Sequence, residues 1–325
     1  MTAALVFMIL VAAVGAAAPT GYPMHAARVV ASRPVCANGR SRLLRLSRPE
    51  GADWLPYRPG HVLALELADG NGVARRGPYT VSRADADEGW LEIIYRVIDP
   101  LLPPPKGGAG HAATCAAERK SSLMASAIPG DAASLGGRFH TPILEGFDLT
   151  GCAAVFLISS GVGVGPQAGF VRECFVDGAW ALPPVRLFAG YREEGDVALQ
   201  AELDALAIAA GTDPAGRRRF AWAACLTADT GAADTEGAAD TGARLFGRTT
   251  NVAPPQIAKA LVELDVPLSA CHFHVIGRGS LVSEWKSGLK KAGISNTRVT
   301  DETYFGHSEP WAEEAAAEIA RGLLN

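Results

Sequence analysis

Six cysteines are spread along this 325-residue chain without a C-x-x-C pair and without a histidine at metal-ligand spacing. The common zinc and iron–sulfur patterns are therefore excluded, and any electrons the protein handles leave to a separate molecule. Cys152, Cys225 and Cys271 lie in apolar runs, where a small buried hydrophobe is expected rather than a disulfide. An excess of one charge is also missing: 30 Lys and Arg against 34 Asp and Glu leave a formal net charge of -4. No stretch interleaves basic with aromatic residues, so nucleic acid is set aside. Residues 1–18 carry no charge, and their apolar run ends in a string of small residues. This is the pattern of a signal or organelle-targeting prefix, a plastid address included, although the positive n-region is absent. An uncleaved membrane anchor is the second reading, at a length marginal for a span, and a misassigned start codon the third.

The most informative stretch is residues 155–166, where Val155-Phe156-Leu157-Ile158-Ser159 runs into Gly161-Val162-Gly163-Val164-Gly165-Pro166. It reads as a buried parallel strand ending in a phosphate-binding turn. Glycines let the backbone approach a pyrophosphate, and Pro166 opens a helix whose free N–H groups face the anion. A glycine-rich turn after a strand is often only a tight turn. Its position decides the matter, because it follows about 150 residues with an antiparallel pattern, the reverse of an ordinary dinucleotide-binding enzyme.

Short alternating runs at 28–32, 41–46, 61–67, 90–97 and 133–139 predict a small antiparallel barrel. A proline- and glycine-rich loop fills 99–117, and 121–127 reads as one short helix before Pro129-Gly130-Asp131. From Cys152 the text alternates strand and helix: strands at 155–159, 185–189, 219–226, 272–276 and 298–300, helices at 167–176, 197–209 and 281–291. That pattern predicts a parallel sheet of roughly five strands. The segment 228–241 repeats Ala-Asp-Thr with no apolar period and reads as a solvated acidic loop. At the C-terminus Ser308 is placed to cap a helix in which Trp311, Ala315, Ile319 and Leu323 form a stripe packed on the body of the protein. The expected domains are a targeting segment at 1–22, a barrel at 23–148, a nucleotide-binding α/β domain at 149–306 and a helical extension at 307–325.

A barrel followed by a nucleotide sheet resembles the ferredoxin–NADP reductase superfamily, and four motifs carry the resemblance. Arg76-Gly77-Pro78-Tyr79-Thr80-Val81-Ser82 is similar to the family's R-x-Y-[ST] flavin motif, with one residue too many between arginine and tyrosine. It implies Tyr79 as the stacking residue, Thr80 as the partner of the flavin N5 edge and Arg76 for the flavin phosphate, with Arg75 and Arg83 as substitutes. The plain alternative is a strand tyrosine after a Gly-Pro turn. Lys120-Ser121-Ser122 resembles the helix start that meets the flavin pyrophosphate, implying Ser121 and Ser122. Gly161, Gly163 and Pro166 match the family's G-[TS]-G-x-x-P loop, with Val162 at the hydroxyl position. Val275-Ile276-Gly277-Arg278-Gly279-Ser280-Leu281 is similar to the C-G-x-x-x-[ML] loop near the nicotinamide, with Ile276 where many members keep cysteine. Gly190 and Arg192 fill a G-x-R after a strand.

The end Glu302-Thr303-Tyr304-Phe305 is similar to E-x-[YF]-F and implies Glu302 beside the flavin and Phe305 covering its far face. The resemblance thus implies FAD and NAD(P)H as cofactors, hydride transfer between them, and an electron acceptor that is a small molecule or a separate redox protein. The other class of reading is a non-catalytic flavin- or nucleotide-binding protein that keeps the same fold.

Overall fold

Period-two burial builds the first half of the molecule. In the computed structural model, which describes residues 22–47, 57–69, 71–98, 120–139, 143, 151–178, 182–228, 242–305 and 312–324, six strands close into a barrel. They are β1 (Met24–Pro34), β2 (Ser41–Ser47), β3 (Val62–Ala68), β4 (Ala74–Asp85), β5 (Trp90–Arg96) and β6 (Ala132–Phe139). Their order is β1-β2-β5-β4-β3-β6, so β2 lies beside β5 and β3 beside β6, the crossing connectivity of a Greek key. Leu44, Leu63, Leu65, Val81, Ile93 and Leu135 fill the interior. Closure leaves no free edge, which suits strands as short as these.

Gly77 and Pro78 are not a turn. They lie inside β4, in unbroken register with β3, Leu65 opposite Gly77 and Ala64 opposite Pro78. Pairing of β4 with β5 starts only at Val81, so the N–H that Pro78 lacks falls where no second neighbour needs it. The short helix α1 spans 120–126.

The second half is a parallel sheet of β7 (Ala154–Ser160), β8 (Val185–Tyr191), β9 (Phe220–Leu226), β10 (Ala243–Phe246), β11 (Cys271–Arg278) and β12 (Val299–Phe305), in the order β10-β9-β8-β7-β11-β12. Helices α2 (Val164–Phe175) and α3 (Gln200–Ala210) cover one face, around Leu157, Leu187 and Trp222. Helices α4 (Thr249–Leu264), α5 (Gly279–Lys291) and α6 (Ala312–Leu324) cover the other, around Phe156, Phe273 and Trp285. The sheet has six strands where the pattern predicts about five. The additions, β10 and α4, are hidden in the sequence by the acidic loop before β10 and by Pro254-Pro255 within the helix.

Ala315, Ile319 and Leu323 of the predicted C-terminal stripe are buried, and α6 packs on α4 and α5. Cys225 and Cys271 are buried, as is Cys174, while Cys36 and Cys152 are partly exposed. Among the described residues no group of His, Cys, Asp or Glu is arranged to hold a metal, and no helix is long and apolar enough to cross a membrane. The targeting segment, the proline-rich loop, the acidic loop from Asp229 to Thr241, Ser308 and Trp311 lie outside the described residues.

Candidate functional site at the domain junction

The order of the parallel sheet reverses between β7 and β11, and the ends of those two strands form the crevice where such sheets bind ligands. A glycine adjoins each end, Gly161 just after β7 and Gly277 one residue before the end of β11. Gly161 has φ +54, and a side chain there would meet nothing within 4 Å. A Cβ on Gly163 would come within 3.0 Å of the Ile276 side chain, so the two loops touch through it. Gly277 has φ +153, a backbone that a residue with a side chain rarely adopts, and a Cβ there would run into the Ser160 hydroxyl. The helical run starts earlier than predicted: Gly161–Gly163 form a 3-10 turn, Val164 opens α2, and Pro166 is its third residue.

Gly165 of this motif and Gly169, four residues further along α2, set the docking of the domains. On one face of α2, a Cβ on Gly165 would lie 2.5 Å from Ser82 Oγ and 3.0 Å from Ile94 Cδ1. One on Gly169 would overlap the Ser82 carbonyl and lie 2.9 Å from Pro59 Cγ. Helix α2 therefore lies directly on β4, which carries Thr80 to the crevice. There Thr80 Oγ1, from the barrel, donates to Glu302 Oε1, from β12, at 2.5 Å. Register places Ser159, Ile276 and Glu302 side by side across β7, β11 and β12.

Glu302 is 9% exposed. Burial pushes its carboxyl up to about 8, with the Thr80 hydrogen bond opposing, so it is mainly protonated and neutral at pH 7. Its Oε2 is buried with no hydrogen-bond partner, a polar atom that burial makes costly unless something pairs with it. Tyr304, also reached by the Thr80 hydrogen bond, has its phenol held well above the usual range by burial and then by Glu302. Tyr79 is half-buried against the barrel interior, and burial raises its phenol too. A neutral carboxyl, a hydroxyl and the Tyr304 phenol thus meet where the two domains touch, while the Tyr79 ring lies on the barrel side of β4. An orphaned oxygen, an open glycine crevice and an aromatic face are what a flavin beside a nicotinamide needs, so the residues present fit both groups.

The other predicted residues are placed unevenly. Arg76 points away from the face of Tyr79, since residues three apart on a strand face opposite sides. Its Nε donates to Glu66 Oε2, its cross-strand neighbour, at 2.9 Å. The substitutes are engaged as well: Arg75 lies 3.7 Å from Asp69, and Arg83 stacks 4.9 Å over Trp90. Ser121 is buried and accepts from the Ile98 N–H at 3.1 Å, while Ser122 is exposed. Gly190 is needed for packing, because a Cβ there would sit 2.5 Å from Thr249 Oγ1. Arg192 is exposed beside it. Phe305 ends β12 opposite Arg278. Sequence reasoning missed three contributors. Tyr304 was passed over for its neighbour, although E-x-Y spacing puts it on the strand face of Glu302. Gly165 and Gly169 carry a signal too, being four apart on one side of a helix.

No family model and no curated protein matches this sequence. Solved structures do match. The cytochrome P450 reductase GcoB of Amycolatopsis is 20% identical with a TM-score of 0.58, over 88% of this chain and 71% of that one. The CS-b5R domains of human Ncb5or, in an NAD+ form, are 16% identical with a TM-score of 0.62, over 88% and 71%. A ferredoxin NADP+ reductase of Neisseria gonorrhoeae, with FAD and NADP bound, is 15% identical with a TM-score of 0.61, over 86% and 98%. Closed antiparallel barrel first and crevice-bearing parallel sheet second, the chain has the fold of the ferredoxin–NADP reductase superfamily.

Proposed function

We propose that the protein is a flavin-dependent oxidoreductase that takes hydride from NAD(P)H and passes electrons to a separate acceptor. The observation that carries this reading is the meeting of Thr80 and Glu302 across the domain junction, with one Glu302 oxygen left unpaired. Bound there, FAD would supply the hydride acceptor and NAD(P)H the hydride, and the protein's part is to hold the two rings in register. Tyr79 offers the aromatic face for the flavin, and Thr80 offers a hydroxyl at the ring edge. Glu302, neutral through burial, holds that hydroxyl in one orientation and keeps a proton at the junction. Gly161, Gly163, Pro166 and Gly277 leave room for the nucleotide, with Arg192 at its outer end. The named neighbours, a P450 reductase and a ferredoxin reductase, support a redox protein as the acceptor.

The full chain should purify yellow, release FAD on heating, and reduce ferricyanide with NADH or NADPH. Recovery of FMN alone would refute FAD. Bound flavin without nucleotide-dependent turnover would make the chain a binding protein that keeps the fold. Tyr79→Ala should lower flavin affinity by about 5- to 150-fold, since an aromatic contact and its buried area are worth roughly 1–3 kcal/mol. Full retention of flavin absorbance in that variant would remove Tyr79 from the site.

A further inference from the structure

The flavin motif of this chain lacks its arginine on the correct face. Counting back two residues from Tyr79, the place the arginine takes in R-x-Y, gives Gly77, and the register of β4 with β3 runs without a bulge from Ala74 to Thr80. No slip of the strand therefore returns Arg76 to that face. The space is filled from elsewhere. The side chain of Lys120, the first residue of α1, crosses Gly77: a Cβ built on Gly77 would lie 3.0 Å from Lys120 Cε and 3.5 Å from Cδ, and would overlap Nζ itself. The same Nζ stands 5.0 Å from the centroid of the Tyr79 ring. Burial pulls the Lys120 ammonium below its ordinary value, as for a cation set against a protein surface. Among the described residues Lys120 has no carboxylate partner, whereas Arg75 and Arg76 each have one.

We infer that Lys120 takes the place of the motif arginine and supplies the positive charge that binds the flavin phosphate, with Gly77 kept small so that the lysine can reach across it. The two positions form one exchange: the cation moves from the strand to the neighbouring segment, and the strand residue loses its side chain to make room. Lysine meets phosphate as a point charge rather than a bidentate fork, so the contact depends on charge more than on angle. This inference rests on the flavin reading above and deepens it.

The test is titration of the flavin-free full chain with riboflavin, FMN and FAD, followed by flavin fluorescence, in the wild type, Lys120→Met and Lys120→Arg. Expected is a loss of about 10- to 100-fold in affinity for FMN and FAD in Lys120→Met, the worth of one charge-assisted contact, with riboflavin affinity unchanged within about twofold. Lys120→Arg should keep FMN and FAD affinity within a few-fold, and a circular dichroism melt checks that both variants fold. Rising salt should weaken FMN binding in the wild type and much less in Lys120→Met. An equal loss for riboflavin would reduce Lys120 to a packing residue and overturn the inference. A phosphate-specific loss in Arg76→Gln with none in Lys120→Met would return the charge to Arg76. A wild type that binds flavins while Lys120→Met binds them equally well refutes Lys120 alone, whereas a wild type that binds no flavin refutes the flavin reading and this inference together.

Discussion

Glu302 couples stability to pH in a way that identifies it. Burial lifts its folded pKa from 4.5 to about 8, so between those values the folded chain holds a proton that the unfolded chain has released. The stabilisation is complete below pH 4.5 and is lost as pH rises towards 8. His272 and His274 act in the opposite sense, because burial pushes them down from 6.5 to about 4 and about 3, and their contribution is complete only above pH 6.5. The interval from pH 6.5 to 8 therefore isolates Glu302. Melting temperatures of the flavin-free protein should fall across it, and Glu302→Gln, neutral at every pH, should flatten the fall; an unchanged slope would mean that Glu302 is ionised. Thr80 and Glu302, 222 positions apart, do share one hydrogen bond. Arg76 was read by type but not by face, because a regular strand turns a one-residue insertion into a reversal of side.

Two glycines on either side of the start of α2 perform different tasks. Gly161 opens onto free space, whereas Gly169 lies against the Ser82 carbonyl. Gly169→Ala must push helix and barrel apart, at about 1–3 kcal/mol as for overpacking elsewhere. Gly161→Ala meets no neighbour and carries only the strain of a positive φ, about 1–2 kcal/mol. Thermal melts should rank Gly169→Ala as the less stable, and the reverse order would mean that α2 is not seated on β4. Helix α6 is seated in a comparable way, since a Cβ on Gly288 of α5 would come 2.6 Å from Ile319 Cβ, and one on Gly322 would come 2.7 Å from Pro254 Cβ. Ile319 is fully buried, so Ile319→Ala should cost about 2–5 kcal/mol in denaturant unfolding. A cost under about 0.5 kcal/mol, the range of surface substitutions, would show that α6 is a detachable appendage. The apolar stripe of α6 was legible because its period is local. Helix α4 was not, because two prolines interrupt the local pattern and packing on α6 and the sheet holds the helix in place.

For the molecule as a whole, the contacts of two arginines bear on which nucleotide is used. Arg244 fills its fork with both Glu194 oxygens at 2.6 and 2.7 Å, Gln200 Oε1 at 2.9 Å and the Gly242 carbonyl at 2.6 Å. Arg248 reaches both oxygens of Glu284 at 3.1 Å. Arginines held in this way are not available to a ribose phosphate, whereas the exposed Arg192 lacks a carboxylate partner among the described residues. NADH should accordingly show the higher kcat/KM, and Glu194→Gln, which loosens Arg244, should move the ratio towards NADPH. A kcat/KM for NADPH ten times that for NADH in the unaltered protein would overturn the preference. What the sequence determined by itself is everything with a short period or a fixed spacing: the alternating barrel strands, the strand into glycines at 155–166, the change to β/α alternation, and the stripe of α6. Those features arise from backbone periodicity and local sterics, which act within a few residues. The tertiary structure alone decided which glycines hold the domains together, on which side of β4 the arginine falls, and which cation lies over Tyr79. Each of those depends on how distant segments approach one another, and such approaches are set by packing and register across the whole chain rather than by any local pattern.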